Sequence, residues 1–225
     1  METKPVYPEQ QLEGNVIKEI FSHADALAEI HATLTSPRGN WFRLHLLQAL
    51  RKSQTIEEIQ AMRKEAQLEE TQRHLHKLLD TGLIHREGNR QNDPYERTPQ
   101  GEVAVNAVRA FERQTGEEAA RALYEAALGP NSIRLFLRVY GNDKPADFKT
   151  RDIVYTPEEI GKLCLFLPRS VEGVAAIEKL SDAGILVYDD KDERIHFQSK
   201  LARGFYQYLK DLYSDVLQKP QTQKE

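Results

Sequence analysis

Apolar residues recur at three- and four-residue steps along most of this 225-residue chain, and the breaks between those runs mark off its elements. From Asn15 to about Thr33, Val16, Ile20, Phe21, Leu27 and Ile30, continued by Leu34, predict one long amphipathic helix after a loose polar arm over 1–14. Ser36-Pro37-Arg38-Gly39-Asn40 breaks the pattern. A helix from Trp41 to about Lys52 follows, with Phe42, Leu46, Ala49 and Leu50 expected inward, and Thr55-Ile56-Glu57-Glu58-Ile59 starts another. Leu68, Thr71, Leu75, Leu78 and Leu79 then share one helical face, opposite Glu69, Gln72, Arg73, His76 and Lys77. Thr81-Gly82 stops that helix, because glycine takes the left-handed cap conformation without a Cβ penalty. Leu83 to Arg86 and Tyr95 to Arg97 read as short strands around the turn residues Gly88-Asn89 and Asn92-Asp93-Pro94. Thr98 and Pro99 open a helix to about Gln114, as N-cap and first helical residue. A connector over 115–131, itself helical to about Leu128, ends at Gly129-Pro130-Asn131.

The second half, 132–218, repeats the first in outline. Ser132 to Tyr140 is a helix with Ile133, Phe136, Leu137 and Tyr140 along it, and Ile153-Val154-Tyr155 a short strand. Thr156-Pro157-Glu158-Glu159-Ile160 repeats Thr55 to Ile59, and Ala183-Gly184-Ile185-Leu186 repeats Thr81 to Ile84. Between them Val171, Val174, Ile177 and Leu180 form one apolar stripe on a helix from Ser170 to Asp182. Val187-Tyr188 and Ile195-His196-Phe197 flank an acidic turn, and a last helix runs from about Ser199 to Leu217. Residues 219–225 are polar and expected to be disordered.

Helix, tight stop, strand, polar loop, strand and capped helix is the order of a winged helix. Thr55-Ile-Glu-Glu-Ile, Arg73-His74-Leu75, Asp80-Thr-Gly-Leu-Ile and Thr98-Pro-Gln-Gly resemble the winged-helix regulators of the ArsR and MarR type, over roughly a third of the chain. The expected fold is therefore mainly α with small β-hairpins (α+β): tandem winged helix-turn-helix domains with extra helices, the first over 15–114. The resemblance implies duplex DNA as partner and a homodimer. The added N-terminal helix reads equally as a dimer seam or as packing within the chain. Glu69 and Glu70 depart from the family, whose members usually carry Ser, Thr, Gln or Pro there.

Composition narrows the chemistry. A net charge of −4 argues against a nonspecific nucleic-acid coat but leaves room for a site-specific reader with a favourable local field. No apolar run is long enough to cross a bilayer and the first residues contain no signal-like apolar core, so a cytoplasmic location is expected. The single cysteine, Cys164, excludes an internal disulfide and a multi-cysteine zinc site; it sits among Leu163, Leu165, Phe166 and Leu167 as a small buried hydrophobe. His74 and His76, two apart on a helix, point to different faces and do not share a metal. No Gly-rich phosphate loop, G-x-S-x-G or H-E-x-x-H motif is present, so neither an enzyme nor a cofactor is expected.

Charge separates the halves. The first offers Gln72, Arg73, His76 and Lys77 on its candidate reading helix and Arg86, Arg90 and Arg97 on its hairpin. Gln and Arg suit adenine and guanine edges, and an arginine at a hairpin tip suits the minor groove. The second half sets Asp189, Asp190, Asp192 and Glu193 against Lys191 in its turn, which phosphates would repel. Its helix adds only Arg169 and Lys179, against Glu172 and Glu178. These features predict a transcription regulator that reads DNA through its first half and makes dimer or partner contacts through its second. A protein-interaction adaptor built on the same fold, and a sensor with a small-molecule pocket between the halves, stay open beside it. The aromatics Phe205, Tyr206, Tyr208 and Tyr213 are read as core or dimer packing.

Overall fold

Each of the two halves is punctuated by the same local devices, and those devices set the order of its elements. The computed structural model describes residues 8–35, 42–62, 67–142 apart from 89 and 91, 153–159 apart from 157, and 170–214 apart from 190, 192 and 193. Cys164, Arg169 and most of the acidic turn lie outside these residues. The chain begins with α1 (Pro8–Ser22), α2 (Ala24–Leu34), α3 (Phe42–Ala49), α4 (Ile56–Met62) and α5 (Leu68–Asp80), then β1 (Ile84–Arg86), β2 (Tyr95–Arg97), α6 (Pro99–Thr115) and α7 (Glu117–Glu125). It continues with α8 (Pro130–Asn142), β3 (Ile153–Tyr155), α9 (Val171–Asp182), β4 (Leu186–Asp189), β5 (Arg194–Phe197) and α10 (Ser199–Leu212). The molecule is mainly helical with two small antiparallel sheets, an α+β arrangement.

The repeat extends to individual hydrogen bonds. Thr55 and Glu58 exchange bonds with each other's backbone N–H groups at 2.8 and 3.3 Å, and Thr156 and Glu159 do the same at 2.7 and 3.3 Å. Both are capping boxes. Helices α5 and α9 end alike: Gly82 and Gly184 both take φ 69°, Leu83 N–H donates to Leu78 O and Ile185 N–H to Leu180 O, each at 3.0 Å. Beyond the hairpins, Thr98 N–H returns to Leu83 O and Gln198 N–H to Ile185 O. In the second half β5 lies between β3 and β4. In the first, β2 lies beside β1 and meets the chain at Gln54, whose backbone exchanges two hydrogen bonds with Tyr95. That single bridge stands where the second half has a full strand.

Helices α6 and α10, which follow the two hairpins, pack along each other in the most extensive helix–helix contact among the described residues. Gly204 permits the approach, since a Cβ there would lie 2.7 Å from Thr115 Cγ2 and 3.3 Å from the Phe111 ring. Around this seam Phe136, Tyr140, Phe205, Tyr206 and Tyr208 are buried in ring contacts with centroids 4.5–6.2 Å apart. The C-terminal aromatics are core.

Four expectations are corrected. The first helix starts at Pro8, inside the stretch read as a loose arm. It is not one helix through to Thr33: at His23 the backbone leaves the helical region (φ −104°, ψ 15°), and Ser22 Oγ donates to Glu19 O. The resulting α1 and α2 bury Ile17, Ile20, Leu27 and Ile30 within the chain and pack on α8, so this surface is spent internally. Ala49 is exposed and Leu44 and Leu47 are buried in its stead. The largest departure is in α9. Its predicted apolar stripe faces outward at one end, Val171 being 82% and Val174 43% exposed, while Gly173, Ala176 and Leu180 are buried. Helix α9 packs on α8 and β4 with Gly173, Ala176 and Leu180 on its buried side.

Candidate nucleic-acid interface

Helix α5 is held by one face and open on the other. Thr71, Leu75 and Leu78 are buried, and the Gln60 side-chain amide donates to Thr71 Oγ1 at 2.8 Å, tying α4 to α5. Leu68, expected on that inner face, is 47% exposed at the first turn, before the helix reaches the core. The outward side carries Glu69, Arg73, His76 and Asp80, flanked by half-buried Gln72 and Lys77. The Arg73 side chain is 75% exposed, with Glu70 at 3.8 Å. Lys77 Nζ pairs with Glu29 of α2 at 3.3 Å, across an exposed contact worth little in water.

The hairpin divides its three arginines between tasks. Arg90 is exposed at the tip, where its N–H donates to Asp93 Oδ2 at 2.5 Å and closes the turn. Arg86 lies half-buried, its guanidinium 5.7 Å from the Tyr95 ring centroid and donating to the Arg90 carbonyl, so it supports the tip from below. Arg97 does not belong to the open face. Its side chain is only 7% exposed, pairs with Glu102 and donates to Leu47 O at 3.2 Å, fastening α6 and the hairpin to α3. Burial works against its charge, and Glu102 offsets that penalty. Arg97, expected among the hairpin's DNA-facing arginines, is turned inward instead: the second strand residue after buried Tyr95 falls on the inner side of the sheet, as period two requires.

Of two neighbours of Arg73, His74 was named in the sequence and Arg43 was missed. The His74 ring lies tilted against Phe42 with centroids 4.6 Å apart, and burial, followed by the Arg43 charge, lowers its pKa despite a hydrogen bond to Glu70. Arg43 donates to Thr35 O at 2.9 Å, and burial and then Arg73 lower its pKa. Arg43 thus lies in the electrostatic neighbourhood of α5. Its only sequence signal was a cation within an apolar helix, which does not say what lies beside it.

The equivalent positions of the second half carry other chemistry. Aligning the two capping glycines pairs Glu69 with Val171, Gln72 with Val174, Arg73 with Ala175 and His76 with Glu178. Lys179 answers Lys77 and sits 3.9 Å from Asp182. On the hairpin, His85 and Arg86 become Val187 and Tyr188, both exposed.

Among the described residues, no group of three or more His, Cys, Asp or Glu side chains is placed to hold a metal ion, and no helix is long and apolar enough to cross a membrane. An open polar hollow lined by Asn106, Arg109, Glu112, Arg113 and Glu117 lies along α6 and α7. No family model matches the chain, and no curated protein or solved structure matches it.

Proposed function

We propose that the chain is a DNA-binding transcription regulator made of two winged-helix domains in tandem, with α5 of the first as the reading helix. The observation that carries this is the division of α5: its inner face is locked by Thr71, Leu75 and Leu78, while Arg73 and His76 project into solvent. Arg73 and Gln72 reach base edges in the major groove. His76 and Lys77 lie beside them, Lys77 exchanging Glu29 for a phosphate. Arg90 enters the adjacent minor groove from the hairpin tip, held there by Arg86 and Asp93. Arg97 keeps its place in the frame.

A homodimer was the expectation from the resemblance, but α6 and α10 already pack together inside one chain and α1 and α2 are buried there too. The single chain therefore acts as the binding unit in this reading, with its first half making the DNA contacts. The test is duplex binding across a salt series: the wild-type chain shows a linear loss of log affinity with log salt, and Arg73→Ala with Arg90→Ala binds more weakly with a shallower slope. A flat salt dependence, with affinity intact in the double variant, sinks the proposal.

A protein-interaction adaptor is the second reading. Glu69 and Asp80 on the outward side of α5 favour it, because they leave that face without a basic excess. Absence of retardation of any duplex at low salt would select it.

A further inference from the structure

We infer that the outward face of α9 is a docking surface for another protein, and that the segment it takes is an amphipathic helix with lysine or arginine flanking its apolar stripe. Of the seven large apolar side chains exposed among the described residues, five lie in the second half: Val154, Val171, Val174, Val187 and Tyr188. Val171, Val174 and Ala175 are spaced to form one outward stripe on α9, opposite the buried Gly173, Ala176 and Leu180. A soluble chain holds valine 82% exposed at a helix start without local gain, whereas a partner that covers the stripe removes that surface from water.

The surrounding charge chooses the partner. Glu172, Glu178 and Asp182 are exposed on the same helix, and Lys179, its single base, is already drawn to Asp182. Phosphates are repelled from such a face, and a helix carrying lysine or arginine beside its apolar residues is attracted. A second copy of the chain fits badly. Face to face, the same acids would oppose one another, and the outward face of α5, though it carries Arg73, mixes it with Glu69 and Asp80 and has no apolar stripe to cover Val171 and Val174. The comparison with α5 supplies an independent argument. The two helices share their glycine stop and their place in the repeat, yet Glu69, Gln72, Arg73 and His76 of one become Val171, Val174, Ala175 and Glu178 of the other, only Lys77 and Asp80 recurring as Lys179 and Asp182. Sharing that geometry, α9 presents a surface of the same kind with its chemistry exchanged. The inference builds on the tandem reading but does not require that α5 bind DNA.

The experiment uses the full-length chain and three labelled synthetic peptides, each about five helical turns long: a leucine-faced helix with lysine flanks, the same helix with glutamate flanks, and a scrambled lysine peptide of equal charge. Fluorescence anisotropy should show binding of the lysine-flanked helix alone. Val171→Asp with Val174→Asp should weaken it on the order of tenfold or more, and Glu172→Lys with Glu178→Lys should weaken it likewise. Both pairs are on the surface, and circular dichroism of each variant verifies the fold. No binding, equal binding of the scrambled or glutamate peptide, or affinity unchanged by the valine substitutions overturns the inference. So does a concentration-dependent dimer in sedimentation that the valine substitutions abolish, because the occupant is then a second copy. Duplex binding measured on the same variants separates the two proposals. The valine variant should retain it, and Arg73→Ala with Arg90→Ala should keep the peptide while losing DNA.

Discussion

Gly82 and Gly184 share a left-handed φ of 69°, yet the helices they terminate offer solvent nearly opposite surfaces. Helix α5 projects Arg73 and His76 where α9 projects Ala175 and Glu178. The inner devices are the same in both halves: capping box, glycine stop, central second hairpin strand, and following helix committed to the seam. The outward side chains that differ between α5 and α9, at Glu69, Gln72, Arg73 and His76 against Val171, Val174, Ala175 and Glu178, take no part in those devices. Frame and surface have separate physical requirements, so one frame can carry two different outward surfaces within a chain.

The comparison can be broken most severely at the seam that joins the halves. His31 of α2 is buried there with its Nδ1 3.2 Å from the Tyr208 hydroxyl. Burial lowers its pKa from 6.5 to about 4, a contact with the Leu123 backbone offsetting only part of that. The fold therefore favours the neutral ring. Its contribution is intact above pH 6.5, the unfolded value, and is lost as pH falls toward 4, on the order of 3 kcal/mol across that window. Thermal melts from pH 7 to pH 4 should show a steeper loss for the wild type than for His31→Leu; parallel curves would remove His31 from the account. Gly204→Leu comes next. Its side chain meets Thr115 and Phe111, and overpacking of this kind costs about 1–3 kcal/mol in chemical denaturation. Unchanged stability would mean that α6 and α10 do not approach as closely as described.

Smaller effects sharpen the likeness of the halves. Gly82→Ala and Gly184→Ala each place a Cβ at positive φ, costing about 1–2 kcal/mol, and the two costs should agree. A large difference between them would show that the two stops are not equivalent. Thr55→Ala and Thr156→Ala should each cost about 1 kcal/mol by breaking a capping box. Hydrogen exchange at the Glu58 and Glu159 amides reads each loss locally, and exchange there that does not quicken would contradict the cap.

What could be read without coordinates is what acts over a few residues. Thr98 accepting from Gly101 N–H, the stop at Gly82, and the amphipathic run of α5 all depend on neighbours within one or two helical turns, so the sequence carries them openly. The repeat was legible for the same reason, since its markers are local. Only the tertiary structure decided which side of an element faces in. Val171 and Val174 fall on the apolar stripe that periodicity marks out, but α9, packed on α8 far away in the chain, buries Gly173, Ala176 and Leu180 instead. Arg97 read as a DNA-facing arginine because it is basic, and the sheet turned it onto Glu102 and Leu47. The N-terminal helices could have joined two chains or one, and their burial on α8 is a matter of which apolar surfaces meet, which periodicity does not specify.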